Sequence, residues 1–350
     1  MNKIFLTLVI LGSFFVTEAQ NKSEELDKLM TQAHANGVFK GSVLVAENGK
    51  VIYRKAFGYA NKETKQLLKP EFCFDLASVS KQFTAMGIMI LKERYKLSYD
   101  DKITKYFSEF PAYGKDITIR NLLNNTSGMP LYQPFANKDN LTNAEILKII
   151  EERETLDANI GERYFYNNAG YVMLALIIEK VSNMSLAEFL KENIFKPLKM
   201  NNTFPEINGN DSSNISLFYH KSKEGKIYIA KEVNNFYKFA SGGFLSTTED
   251  LVKFGNSYLN NDLLNKKTIE DFTHFQIIGG LRYNYGLGWQ LLNDESNVLK
   301  SFYHVGKGVG GYGLLIVYPK EKIVISLLAN VGELDLEKEV FSMSKIFLNL

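Results

Sequence analysis

One stretch of the chain, residues 74–92, reads FDLASVSKQFTAMGIMILK. From Val79 to Lys92 the apolar residues leave almost no polar face, and a helix of that kind is buried on all sides. Ser78 and Lys81 stand three residues apart at its start, which places both side chains on one face of the helix. The sequence therefore predicts a buried helix whose first turn holds a hydroxyl beside an amine.

This Ser-x-x-Lys pair can perform nucleophilic chemistry. A serine hydroxyl attacks poorly until a base removes its proton, and burial lowers the pKa of a lysine towards the range where it serves as that base. N–H groups at a helix start also stabilise developing negative charge. The Ser-x-x-Lys spacing alone does not indicate a catalytic site, because Ser342 and Lys345 have the same spacing inside the predicted terminal helix. Ser78 taken alone is equally interpreted as a helix N-cap.

Strand signals occur at both ends of the chain. Asn48-Gly49, the dipeptide typical of a tight hairpin, separates two of them near the N-terminus. We expect an α+β fold, an α/β sandwich whose mainly antiparallel sheet is built from N- and C-terminal segments and flanked by terminal helices at Asn21–Asn36 and Leu334–Leu350. The expected strands are Ser42–Glu47, Val51–Phe57, Leu287–Leu292, Ser301–His304, Tyr312–Tyr318 and Ile323–Leu328.

Helical signals dominate the middle of the chain. Capping boxes, in which a Ser or Thr precedes a Glu by three residues, are expected to open helices at Thr142, Ser185 and Ser246. We therefore expect one catalytic domain with an inserted all-helical lobe. The predicted boundaries are 20–350 for the domain, about 20–95 and 235–350 for its α/β part, and about 96–205 for the lobe.

The composition is that of an ordinary folded protein. The 350 residues include 45% hydrophobic residues, 25 Gly and 7 Pro, which excludes disordered and collagen-like chains. The 41 Lys and Arg are scattered among 39 Asp and Glu, and the net charge is +2. Without a basic stripe, the sequence argues against nucleic acid as a partner.

Residues 1–19 have the pattern of a secretory signal peptide. Lys3 precedes the apolar run Ile4–Val16, and Ala19 provides a small residue at the cleavage point. An uncleaved anchor is the alternative. No later apolar run approaches the about 20 residues that a membrane span needs, so we expect an exported protein, periplasmic or secreted, with no membrane span after cleavage.

The scarce residues exclude several kinds of site. Cys73 is the single cysteine, and its apolar neighbours indicate a buried, inert thiol. The four histidines are too widely spaced to suggest a zinc site, and we expect neither a metal nor another cofactor. Gly306–Gly311 matches Gly-x-Gly-x-x-Gly, but a strand follows instead of a helix. We interpret these glycines as a strand and turn that approach a ligand or neighbour closely.

Short motifs follow one another along nearly the whole mature chain. They are Phe74–Lys81, Ile117–Arg120 with Leu122-Leu123 and Thr126-Ser127-Gly128, Tyr166–Tyr171, Ser241-Gly242-Gly243 with Ser246-Thr247, Tyr285–Trp289 and His304-Val305-Gly306. Tyr-x-Asn alone also begins at Tyr59 and Tyr258, so their order and spacing matter. In that order the chain resembles the serine beta-lactamase and DD-peptidase superfamily, in its branch of class C beta-lactamase-like hydrolases and esterases.

The resemblance implies a mechanism. Ser78 would attack a carbonyl to form an acyl-enzyme that water releases, while Lys81 and Tyr166 would share the transfer of the proton. Tyr166 could act as a base only if neighbouring cations such as Lys81 stabilised its phenolate. Asn168 would bind Lys81 or a substrate amide. Asn125 stands where a histidine commonly precedes Thr-Ser-Gly, and it receives no role.

The last of these motifs, His304-Val305-Gly306, sets the remaining expectations. The N–H groups of Ser78 and Lys307 would form the oxyanion hole beside Gly306. Beta-lactamases usually carry Lys-Thr-Gly or Lys-Ser-Gly here, whereas Val305 offers no hydroxyl, which puts beta-lactam hydrolysis in doubt. Lys307 is either a substitute cation or a solvated side chain, and His304 is either a site residue or a sheet histidine without a chemical task.

Two functional hypotheses follow. The first is an exported serine hydrolase that acts on a small-molecule or peptide substrate, an amide or ester such as a D-alanyl peptide derived from peptidoglycan, a small ester or a beta-lactam. The second is a non-catalytic, penicillin-binding-like protein that binds peptidoglycan or a protein partner. The presence of Ser78, Lys81, Tyr166 and Asn168 together favours the hydrolase hypothesis. Burying a lysine is energetically costly, and a site without catalytic activity would not need one.

Overall fold

A computed structural model describes residues 20–136, 141–205, 213–222, 225–230, 240–278, 280–294, 296, 298–308, 310–332 and 334–348. The predicted signal peptide, 1–19, lies outside the described residues. The helices are α1 (20–35), α2 (Lys81–Glu93), α3 (Ile119–Leu123), α4 (Asn143–Glu151), α5 (Asn168–Ser182), α6 (Leu186–Leu190), α7 (Thr248–Asn260), α8 (Lys266–Thr273) and α9 (Glu337–Leu348).

The strands form one large sheet and several small ones. They are β1 (Gly41–Glu47), β2 (Lys50–Phe57), β3 (Tyr59–Asn61), β4 (Gln66–Leu67), β5 (Phe74–Asp75), β6 (Phe204–Pro205), β7 (Tyr219–Lys221), β8 (Ile227–Ile229), β9 (Phe244–Ser246), β10 (Gln276–Ile278), β11 (Leu281–Tyr283), β12 (Gln290–Asn293), β13 (Leu299–Lys307), β14 (Tyr312–Tyr318) and β15 (Ile323–Ala329).

The large sheet joins the two ends of the chain. Its order is β12-β13-β14-β15-β1-β2, and every neighbouring pair is antiparallel. The hairpin between β1 and β2 turns at Asn48 and Gly49, both with positive φ, as the sequence predicts. The expected α+β fold, with a sheet assembled from both termini, is therefore confirmed.

Each face of the large sheet buries a separate core. On one face, residues such as Phe302, Leu315 and Val324 pack with α2, α5 and α7 in the larger hydrophobic cluster. On the other face, which we call the outer face, Leu314 and Ile316 belong to a second cluster with α1 and α9. Every residue of α2 from Lys81 to Leu91 is buried, so the predicted buried helix is confirmed.

Several local predictions differ from the structure. Ser246 ends β9 and does not cap a helix, because the Thr247 side chain accepts a hydrogen bond from Asp250 N and α7 starts one residue later. The strand expected from Leu287 to Leu292 covers only Gln290–Asn293, since β12 is limited to the length that pairs with β13. The terminal helix starts at Glu337, not at Leu334.

Helices α3 to α6 lie in the segment expected to be an all-helical lobe, which ends in β6, a short strand paired with β9. The division at about 96 and 205 stays a prediction.

Within the described part of the chain, no helix is both long and apolar enough to cross a membrane. Cys73 is buried and its pKa is raised to about 12 by burial, in agreement with an inert thiol.

Candidate active site

Ser78 lies in a 3-10 turn, Ala77–Ser80, that leads directly into α2. The preceding residue, Ala77, has a φ of 43°, a left-handed conformation that costs energy for any residue with a Cβ. The buried carboxylate of Asp75 supports this turn, because its Oδ1 accepts a hydrogen bond from Ala77 N at 2.8 Å. No role for Asp75 could be predicted from the sequence, since the contact exists only once Ala77 adopts this conformation.

Lys81 is fully buried, and three oxygen atoms surround its amine. Nζ lies 2.8 Å from Asn168 Oδ1, 2.8 Å from the Ser241 carbonyl oxygen and 3.1 Å from Ser78 Oγ. Burial lowers the pKa of Lys81 well below its ordinary value and so favours the neutral amine. Because Asn168 Oδ1 and the Ser241 carbonyl can only accept, they take the two N–H groups of the neutral amine. The amine lone pair then faces the Ser78 hydroxyl, which is the geometry of a general base.

Tyr166 stands at the mouth of the site. The residue as a whole is 37% exposed, and Lys81 Nζ lies 4.9 Å from its ring centroid. Burial raises the pKa of Tyr166 to about 12, although a hydrogen bond with Ser78 opposes the shift. Lys81 therefore does not stabilise a phenolate in the resting protein. A protonated phenol that contacts Ser78 is suited to donating and relaying a proton, not to starting the reaction as a base.

Asn125 holds the backbone on both sides of Tyr166. Its carbonyl oxygen accepts a hydrogen bond from Phe165 N at 2.7 Å, and its Oδ1 accepts one from Asn167 N at 3.1 Å. Its φ of 58° is left-handed, a conformation that asparagine tolerates better than most residues. The sequence alone predicts no role for Asn125. The available signal was its position just before Thr-Ser-Gly, where the resemblance expects a histidine.

Asn168 is the first residue of α5, and its helix is capped by its neighbour. Asn167 Oδ1 accepts a hydrogen bond from Ala169 N at 2.7 Å, and Asn167 Nδ2 donates to Met129 O. The cap fixes the first turn of α5, from which Asn168 reaches Lys81. The structure thus brings together Ser78, Lys81, Tyr166 and Asn168, which lie on two helix starts and one loop.

Strand β13 passes immediately beside the nucleophile turn. A Cβ placed on Gly306 would lie 2.2 Å from Leu76 O and 3.0 Å from Ser78 N, so only glycine permits this approach. The next residue, Lys307, is exposed and lines the cavity that contains Ser78. This close contact, expected from the glycine pattern, places the backbone of β13 next to the Ser78 N–H.

His304 is almost completely buried on β13. Its Nε2 lies 3.3 Å from Tyr285 Oη, and its ring centroid lies 6.4 Å from that of Tyr166. Burial is the larger cause and the nearby Lys81 the smaller cause that together lower the pKa of His304 to about 3. His304 is therefore neutral at physiological pH, and it contributes shape and hydrogen bonding but no positive charge.

The cavity at Ser78 has a volume of about 870 Å³, and Tyr166, His304 and Lys307 also line it. Among the described residues, no three His, Cys, Asp or Glu side chains cluster in a way that could hold a metal ion. Acylation would place positive charge on Lys81, once it accepts the Ser78 proton, and negative charge on the oxyanion. The arrangement can thus perform covalent acyl transfer with a lysine base.

Comparison with known proteins agrees with this geometry. The chain is 34% identical over 334 residues to Penicillin-binding protein 4* of Bacillus subtilis, covering 90% of this chain and 73% of that protein. It is 27% identical to Protein flp of Staphylococcus aureus, of which it spans 64%, less than two thirds. The octameric penicillin-binding protein homologue from Pyrococcus abyssi shares the fold with a TM-score of 0.77 at 29% identity, covering 93% and 75% of the two chains.

The family comparison covers the whole site from α1 to α9. Residues 24–340 match the family described as Beta-lactamase, which includes the Ser-x-x-Lys turn, the Tyr166 loop and β13. This confirms the resemblance to the serine beta-lactamase and DD-peptidase superfamily. The chain belongs to the beta-lactamase family.

Proposed function

We propose that this protein is a serine hydrolase that forms an acyl-enzyme on Ser78 from an amide or ester substrate. One observation carries the proposal: the buried amine of Lys81 lies 3.1 Å from Ser78 Oγ while its two N–H groups are taken by Asn168 and the Ser241 carbonyl. Family membership supports the same type of function. A binding protein without turnover would gain nothing from keeping a buried amine against a hydroxyl.

The reaction divides into acylation and deacylation. Lys81 takes the proton of Ser78 as Oγ bonds to the substrate carbonyl carbon, and the N–H groups of Ser78 and Lys307 stabilise the oxyanion. Tyr166 relays the proton to the leaving amine or alcohol, which departs as the acyl-enzyme forms. Water then attacks the acyl group, the same residues return the proton, and Ser78 is restored.

The proposed mechanism is compatible with several classes of substrate. Small esters, D-alanyl peptides and peptidoglycan-derived peptides all present a suitable carbonyl. Val305 lacks the hydroxyl that binds a beta-lactam carboxylate in the usual Lys-Thr-Gly or Lys-Ser-Gly motif, and His304 is neutral. We therefore place beta-lactams below simple esters and amides as substrates. We also propose export to the periplasm or outside the cell, on the basis of residues 1–19.

The test is covalent labelling of the mature protein with a fluorophosphonate probe and a fluorescent penicillin, together with turnover of p-nitrophenyl acetate. We expect labelling and turnover, and we expect Ser78→Ala to abolish both. Ser342→Ala is the matched control, because Ser342 has the same spacing to Lys345 but lies inside α9. Unchanged labelling of Ser78→Ala would contradict the proposal. Tight muropeptide binding without turnover of any ester or amide would favour the non-catalytic alternative.

A further inference from the structure

The cavity that contains Ser78 extends well beyond the catalytic residues. It continues from Ser78 across β13 and β14 on the outer face of the large sheet and reaches Leu348 near the end of α9. The same volume of about 870 Å³ thus includes both the nucleophile and a long region that none of the proposed catalytic steps uses. We call this second region the outer groove.

The floor and one wall of the outer groove are mainly apolar. Leu314 and Ile316 of β14 form the floor, and both are buried. Val340, Ser344 and Leu348 line the wall at four-residue intervals, so they share one face of α9. At 1.5 Å per residue this face is about 12 Å long. The groove is therefore elongated, not a compact pocket for a small polar group.

Polar atoms deep in the outer groove already bind each other. Ser344 Oγ donates a hydrogen bond to Val340 O at 2.8 Å, and the Tyr318 hydroxyl donates to Ser344 Oγ. The charged side chains that line the cavity, Lys300, Lys307 and Glu337, are exposed or half-buried. Beside Ser344 and Tyr318 a polar ligand would lose its hydration without gaining these two side chains as partners, whereas an apolar chain would lose no hydrogen bond. Asn293, whose Nδ2 has no partner among the described residues, lines the cavity from β12.

On the strength of the proposed function, we propose that the substrate is an ester or amide that carries an extended apolar chain, and that this chain lies in the outer groove. Continuity with Ser78 determines the occupant, because a chain attached to the reacting group enters the groove as the carbonyl reaches the nucleophile. The groove then contributes binding energy remote from the reaction, which holds the carbonyl in place.

Chain length is the direct test. The mature protein is assayed with two matched pairs of substrates, p-nitrophenyl acetate against p-nitrophenyl octanoate and ethyl acetate against octyl acetate, each below its micellar concentration. The chain lies on the acyl side of the scissile bond in the first pair and on the alcohol side in the second. Burial of each methylene raises kcat/KM by up to about fourfold. We expect the octanoate or the octyl ester to exceed its short-chain counterpart by at least tenfold. Equal or lower kcat/KM for both long substrates would overturn the inference.

Variants place the effect in the groove. Leu292 lines the cavity from β12 and is 43% exposed, so Leu292→Asn adds a polar group with little risk to folding. Val340→Asn tests the opposite wall. Each should lower the ratio of long-chain to acetate turnover by about tenfold. Val298→Asn is the matched control, since Val298 is 60% exposed and does not line the cavity, and its ratio should equal that of the wild type. A ratio unchanged in both groove variants would contradict the inference.

The outcome also separates this inference from the proposed function. Ser78-dependent turnover of acetate esters with no preference for chain length would support the proposed hydrolase function but contradict the proposal that the outer groove binds the substrate chain. Absence of both covalent labelling and ester turnover would contradict the proposed hydrolase function. In that case, saturable binding of a fluorescent fatty acid by the wild type, weakened in Leu292→Asn but not in Val298→Asn, would still support the groove, and no binding would overturn it.

Discussion

Asn168 Oδ1 accepts a hydrogen bond from Lys81 Nζ at 2.8 Å, so the proposed base is held by an uncharged partner. This matters because a carboxylate at the same distance would stabilise the ammonium form and raise the pKa of Lys81. Burial lowers that pKa in the wild type. The choice of amide over acid therefore keeps Lys81 able to accept the Ser78 proton.

Asn168→Asp should move the pH dependence of acylation. Lys81 must be neutral to act, so kcat/KM rises as pH rises through the pKa of Lys81. The new carboxylate raises that pKa, and the rising limb should shift to higher pH by at least about one pH unit. The measurement is kcat/KM for p-nitrophenyl acetate across the pH range in which the protein stays folded. Asn168→Ser, which adds no charge, should lower the rate without this shift, and a limb left in place by Asn168→Asp would argue against Lys81 as the base.

Asn125 provides a separate prediction about the Tyr166 loop. Asn125→Gly keeps the left-handed φ but removes the acceptor for Asn167 N, so the loop should be held less firmly and kcat should fall by about tenfold. Asn125→Ala loses the same bond and also meets a left-handed penalty of about 1 kcal/mol or more. Urea unfolding should therefore show Asn125→Ala to be the less stable variant. Wild-type kcat in both would show that Asn125 has no positioning role.

Much of the fold could be predicted because its signals are local. The Asn48-Gly49 turn, the apolar strands at both chain ends and the unbroken apolar surface of α2 each depend on a few adjacent residues. The Ser78 and Lys81 contact is also local, since it spans one helical turn. These features needed no knowledge of distant contacts.

The remaining features depend on contacts that sequence spacing does not reveal. Asn125 acts through backbone groups about forty residues away, and the Ser241 carbonyl reaches Lys81 across 160 residues. The pKa of Tyr166 depends on how deeply its loop packs. From the resemblance, Tyr166 could be a base only if cations stabilised its phenolate, whereas burial raises its pKa. The outer groove likewise exists only because α9 packs against β14.

His304 should make the protein more sensitive to acid. Its pKa falls from 6.5 to about 3 on folding, so the unfolded chain binds the proton first, and stability is full above pH 6.5 and is lost as pH falls towards 3. Between about pH 7.5 and about pH 5 this amounts to about 2 kcal/mol. Asp75 acts in the opposite direction, because its pKa rises from 3.8 to about 6 on folding. The stability that it contributes to the folded protein at low pH is lost as pH rises through 6.

The two effects are separated by a variant. Urea unfolding of wild type and His304→Gln at about pH 7.5 and about pH 5 should show that the variant loses about 2 kcal/mol less on acidification, because its side chain does not titrate. Asp75 is unchanged in both proteins and cancels from the comparison. An equal loss in the two proteins would mean that His304 is not held neutral by burial.

Gly306 gives the sharpest steric prediction for the oxyanion hole. In Gly306→Ala the new Cβ would lie 2.2 Å from Leu76 O and 3.0 Å from Ser78 N, so β13 must move away from the nucleophile turn. A backbone donor displaced in this way costs about a hundredfold or more in kcat, as does removal of an oxyanion donor elsewhere. Single-turnover stopped-flow acylation by p-nitrophenyl acetate measures the loss directly.

The matched control for this change is Gly170→Ala in α5. A Cβ there would lie 3.5 Å from Leu122 O, an ordinary contact, and alanine in a helix interior is favoured over glycine by about 0.5–1 kcal/mol. Gly170→Ala should therefore acylate at the wild-type rate and unfold at higher urea. If Gly306→Ala also acylated at the wild-type rate while folded, the backbone of β13 could not supply the second oxyanion donor, and the N–H of Lys307 would lose its proposed role.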